Sequence, residues 1–208
     1  MKNNFRFYLS LLLIAAACSG LQARHLAAGL SVGFALPYTD FVQEPDRHPA
    51  VGATFELGIG NSLDITASPY FTGISGNNTD SLPLGTYDAS MAGLNLALVY
   101  KPEEKGALRF KSGLIDRISP YAALGLGAMY YNTEGEISSQ PFEHSQTTFV
   151  LPSLGAGIAV LFQRGLEAEA GFVYVYPWDD AIDNRPQNNL NDSFLMPALT
   201  LKYRFDLR

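Results

Sequence analysis

The stretch Leu199–Arg208, LTLKYRFDLR, decides the fold. Leu199, Leu201, Tyr203, Phe205 and Leu207 take every second place, and Thr200, Lys202, Arg204 and Asp206 stand between them. Strict alternation assigns one set to each face of a β-strand. Chain ends fray unless something ties them down, so a terminal strand with two such different faces calls for a partner.

The same period runs through the whole chain. It returns at 26–36, 51–59, 62–72, 89–100, 119–131, 147–162 and 165–178, which with the last strand makes eight runs. Each is near or above the ~9–11 residues with which a tilted strand crosses hydrocarbon. At 47% hydrophobic and only 16% charged, the chain is poorer in charge than soluble domains, which carry roughly 25%. Its mean hydropathy of +0.04 is too low for a bundle of membrane helices.

What fills the second face separates a membrane barrel from a soluble one. A lipocalin-like barrel turns its apolar residues inward and covers its exterior with Lys and Glu. Here the second face is mostly Gly, Ala, Ser and Thr, as in Gly29, Ser31 and Gly33 or Gly125 and Gly127. Small residues suit the inside of a narrow eight-stranded barrel, and the large aliphatic face is left to meet lipid. Aromatic residues of apolar parity form two rows. Tyr38, Phe71, Tyr130, Tyr176 and Trp178 end strands beside long connections, and Tyr100, Phe162, Tyr203 and Phe205 lie at the opposite ends. Amphipathic rings collect in this way at the two surfaces of a bilayer. The reading is all-β: an eight-stranded antiparallel transmembrane β-barrel over residues 24–208.

Residues 1–23 read as a secretory signal peptide, with basic MKNNFR, apolar FYLSLLLIAAACSG and LQA before Arg24. Its removal takes the formal charge from -6 to -8, because Lys2 and Arg6 leave and no acid does. The only cysteine, Cys18, leaves with it. The stretch AAAC also reads as a lipoprotein box with Cys18 acylated, although Ala15 stands where leucine is usual. An acidic chain without a basic cluster excludes nucleic acid as the expected partner.

The connections alternate. GNS at 60–62 and QRG at 163–165 are tight turns, whereas 37–49, 73–88, 132–146 and 177–192 read as long polar loops. Those four hold twelve acids and two arginines. The link 101–117 is long where a short turn is due, and carries five basic residues and three acids. Among inward positions, Glu56, Asp64, Glu167 and Glu169 share the lumen with Lys202 and Arg204. Closing the barrel brings the two cations beside the acids of the preceding strand, so a plugged, salt-bridged lumen is expected ahead of an ion path.

PYAALGLGAMYYN at 120–132, followed by the terminal LTLKYRF at 199–205, resembles the small bacterial outer-membrane β-barrels of the OmpA-like, OmpX-like and opacity types. That resemblance implies an outer-membrane location after signal-peptide removal, and contact with outer-membrane lipid and lipopolysaccharide. It also implies insertion by the barrel assembly machinery, which reads a final aromatic residue. Here Asp206, Leu207 and Arg208 follow that aromatic, a departure from the pattern, as is the 101–117 link.

A monomer with a structural or surface-interaction role, meeting a surface or host ligand through its long loops, is the expected function. The alternative is an OmpW-like conduit for small apolar molecules, with Met129, Phe149 and Leu151 lining a pocket. A remote alternative is a lipid A-modifying acyl enzyme, suggested by His48 with Asp80–Ser81, or by His144–Ser145. No catalytic residue is assigned, and no cofactor. His25, His48 and His144 lack the spacing zinc needs, and Asp179, Asp180 and Asp183 lack the calcium-loop pattern, so no metal is expected. GLGA and GAG are not phosphate loops, since strand pattern runs through them.

Overall fold

The computed structural model describes residues 23–38, 44–59, 61–78, 85–102, 108–110, 114–178 and 192–207. Residues 1–22 with Cys18, the pair Asp80–Ser81, the acids Asp179, Asp180 and Asp183, and Arg208 therefore lie outside the described residues.

Eight long strands are β1 (Ala23–Tyr38), β3 (His48–Ile59), β4 (Leu63–Asn78), β5 (Gly85–Tyr100), β7 (Ile115–Ile137), β8 (Gln140–Phe162), β9 (Leu166–Pro177) and β10 (Ser193–Asp206). Two short ones, β2 (Glu44–Asp46) and β6 (Leu108–Arg109), add to β4 and β7. Each long strand pairs antiparallel with its sequence neighbour, and β1 pairs with β10 from His25↔Asp206 to Tyr38↔Ser193. The sheet therefore closes into an eight-stranded barrel with no open edge through the wall. The terminal stretch is that seam, held on by a further bond from the Leu207 amide to the Arg24 carbonyl at 2.8 Å.

The barrel is inside-out relative to a soluble one. Leu30, Leu124 and Leu199 expose 71%, 60% and 62% of their surface. Seven of the nine residues of the aromatic rows are exposed with them, and Phe162 and Tyr176 are half-buried on the same parity. Apolar exposure on this scale is rare on soluble monomers and marks a surface that meets a partner or a membrane.

Four sequence expectations need correction. The stretch 132–146 is a β-hairpin rather than a loop: β7 and β8 run on to a two-residue turn, Ser138–Ser139, with φ of 51° and 63°. Two left-handed residues match the right-handed twist of the flanking strands, and a Ser-Ser pair carries none of the usual Asn-Gly signature. Second, 73–78 and 85–88 likewise continue β4 and β5, in register from Gly73↔Ser90 to Asn78↔Gly85. Third, Phe149 and Leu151 face outward, at 69% and 42% exposure, while Val150 turns inward. A register shift between Val150 and Ser153 swaps the parity there, as an extra residue in one strand must. Fourth, the link 101–117 is not all connection: its Leu108 and Arg109 form β6 and join the wall. The β5–β7 pairing ends at Tyr100↔Ala122, and β6 takes up the place below β5 with Leu108↔Ile118.

Candidate functional site

Two side-chain clusters of different chemistry stand at two levels of the lumen. At the end bearing the tight turns lies an ion cluster of four carboxylates, two ammonium groups and an imidazole. Lys202 Nζ meets Glu56 Oε2 at 2.6 Å, Glu169 Oε1 at 2.6 Å and Glu167 Oε1 at 3.2 Å. Lys101 Nζ meets Glu56 Oε2 at 2.7 Å, Glu169 Oε1 at 2.8 Å, Glu167 Oε1 at 3.0 Å and Asp64 Oδ2 at 3.4 Å. His25 Nε2 lies 3.1 Å from Glu56 Oε1 and 3.5 Å from Asp64 Oδ1. Glu56, Glu167, Lys101 and Lys202 are all buried, so each charge depends on these partners in place of water.

Local sequence makes the space. Gly29 faces Lys202 across the seam, and a Cβ there would collide with the lysine stem. Gly58 underlies the His25 ring in the same way. Lys101 enters from the first residue of the long link, its amide donating to the Ser62 carbonyl at 2.8 Å.

Of the sequence-predicted lumen residues, Glu56, Asp64, Glu167, Glu169 and Lys202 meet in this cluster. Arg204 sits at the rim, with Nε 3.2 Å from Asp206 Oδ1. Sequence reading misses Lys101 and His25. Lys101 lies one position past β5 and before Pro102, where period two has stopped, and His25 is the third residue of β1, before the regular alternation begins at Leu26. Two triads, His25–Glu56–Asp64 and Glu56–Glu167–Glu169, bring potential metal-ligating atoms within 4.8 Å of one another. The lysines already bridge the second triad.

At the other end the lumen is packed with apolar side chains. Ile74, Tyr87, Met91, Met129, Tyr131, Val150, Val175 and Phe194 form one buried cluster, each with 3% exposure or less. Between the two levels is a cavity of about 140 Å³, enough for several waters. Tyr70, Tyr121, Ser31, Thr54 and Asn95 line it. The Tyr70 hydroxyl reaches up to Met129 Sδ at 3.7 Å, and the Ser153 hydroxyl donates to Asn95 Oδ1 at 2.6 Å.

The strand residues His48 and His144 have local partners. His48 Nε2 is 2.7 Å from Ser75 Oγ, which also donates to Asp46 Oδ2 at 3.3 Å. The hydroxyl stands between imidazole and carboxylate, so the carboxylate does not orient the imidazole as a nucleophilic triad requires. His144 Nε2 lies 3.3 Å from Gln146 Oε1, with its ring 5.9 Å from that of Tyr131.

No protein-family model matches the sequence, and no curated protein does. Solved structures do match in fold. A neisserial surface protein A (NspA) aligns with a TM-score of 0.54 at 10% identity, covering 86% of this chain and 97% of that one. Ail, the attachment invasion locus protein of Yersinia pestis, in complex with the heparin analogue sucrose octasulfate, aligns at 0.50 and 14%, covering 88% and 100%. A major outer membrane protein from Thermus thermophilus aligns at 0.50 and 12%, covering 86% and 99%.

Proposed function

From a chain with the fold of the small bacterial outer-membrane β-barrels, we propose an integral outer-membrane protein with a plugged lumen. Its work is done by what stands outside the membrane, through contact with a surface ligand or partner. The observation that carries this reading is the contrast between a lumen packed at two levels and a wall that β4, β5, β7 and β8 prolong past the outer aromatic row. A rigid scaffold with elaborated outer elements is the usual arrangement for recognition. The acidic residues of that end, and the attachment role named for the Yersinia pestis protein, agree with a surface-interaction role.

The test shortens the β7–β8 hairpin by excising residues 133–144 in cells that display the protein. Retained fast migration of the unboiled barrel in detergent, with loss of surface adhesion, is the expected result. Unchanged adhesion would contradict the reading.

One observation favours a second reading, the conduit for small apolar molecules. The upper lumen is lined by Met91, Met129 and Met196, whose unbranched side chains repack readily. Hydrocarbon uptake that survives the same excision would favour it. An acyl enzyme is not proposed, given the order of groups around Ser75.

A further inference from the structure

The 101–117 link, odd in the sequence, puts three large apolar side chains on the surface at the tight-turn end. Leu108, Phe110 and Leu114 expose 65%, 43% and 72%. Among soluble loops such a trio would be a liability. Their register says otherwise. Leu108 pairs with Ile118, which pairs in turn with Val160, so Leu108 continues the outward face of the wall across three strands. The Phe110 amide donates to the Asp116 carbonyl at 3.0 Å, so Phe110 continues the β6–β7 pairing on the parity of Leu108.

Height along the barrel fixes what this face meets. Ile118 lies twelve residues along β7 from Tyr130 of the outer aromatic row, as Leu26 lies twelve along β1 from Tyr38. At about 3.3 Å per residue and a tilt of about 40°, that is a descent of roughly 30 Å. An outer-membrane apolar band is about 25 Å tall, so both positions fall about 5 Å past its lower boundary, in the interfacial region. Leu26 pairs there with Phe205 of the inner aromatic row.

We propose that Leu108, Phe110 and Leu114 form an interfacial anchor, inserted at the headgroup–acyl boundary of the periplasmic phospholipid leaflet. It completes the inner girdle on the side of the barrel where β5 stops short. The inference rests on the membrane-barrel reading above, and assigns the link to lipid and not to a periplasmic protein. Large apolar and aromatic side chains at this depth gain burial while the backbone stays hydrated.

The sequence has one tryptophan, Trp178, so a Trp178→Phe background carries a single reporter. Leu108→Trp and Leu114→Trp are made in it separately, with Leu98→Trp as a mid-wall control. Each is reconstituted in phosphatidylethanolamine–phosphatidylglycerol vesicles containing phospholipid brominated either near the carboxyl end or near the middle of the acyl chain. Unboiled mobility verifies folding of each variant. Expected is blue-shifted emission at 108 and 114, quenched most by the shallow bromines, with the control at 98 quenched most by the deep ones. Emission at the water-exposed wavelength, quenched by iodide and untouched by either lipid, would overturn the anchor while leaving the barrel reading intact if the control at 98 is quenched. Loss of lipid quenching at 98 as well would overturn the membrane reading itself.

Discussion

The two ends of the lumen carry side-chain clusters of opposite chemistry. At the tight-turn end, strands of Gly and Ala leave room for long ionic side chains, and Lys101 and Lys202 gather four carboxylates around two nitrogens. At the outer end, Tyr131, Phe194, Met91 and Met129 pack without charge. A charged plug is fixed by partners and fails when one is removed, whereas an apolar plug fails in proportion to the volume lost. Substitutions that respect or violate each rule test the contrast.

The largest effect is expected at Lys101. Lys101→Met deletes the ammonium that contacts all four carboxylates, and should lower stability by about 3–5 kcal/mol, read from urea unfolding in detergent. A cost under about 1 kcal/mol would show the cluster to be solvated. Phe194→Ala should cost about 3 kcal/mol through its cavity, and Phe194→Leu distinctly less. Equal costs would mean that volume does not govern the outer plug. Asp64→Asn should be nearly neutral, within about 1 kcal/mol, or stabilising. The cluster holds four carboxylates against two ammonium groups and an imidazole, and Asp64 lies at the longest distances within it. A large cost there would make Asp64 as necessary as Lys101. The smallest change belongs to Asp206→Asn, whose carboxylate is largely exposed beside Arg204. Such a pair is worth at most about 1 kcal/mol.

The contrast also separates what the sequence reveals from what it hides. Strand periodicity is local, so the eight strands, the outward aromatic rows and the inward acids at 56, 64, 167 and 169 can all be read directly. The apolar plug is harder to read, because an inward Met91 or Tyr131 looks like any other strand residue until the barrel closes. A register shift such as that between Val150 and Ser153 puts the residues on its two sides on opposite parity, so a single period read from the later part of the strand gives Phe149 and Leu151 the wrong face. Lys101 is hidden for another reason: it reaches the lumen from a link, and only three-dimensional closure brings it to Glu56 and Glu167. The Ser138–Ser139 turn hides an entire hairpin tip because its left-handed backbone is carried by residues that rarely announce one.

The central claim is that both ends of the lumen are sealed in the intact protein. Single-channel recording of the unaltered barrel in planar bilayers tests it most directly. The account predicts a silent membrane across the voltage range, with insertion verified by recovering the fast-migrating band from the same preparation. Steady, reproducible conductance steps from that preparation would contradict it.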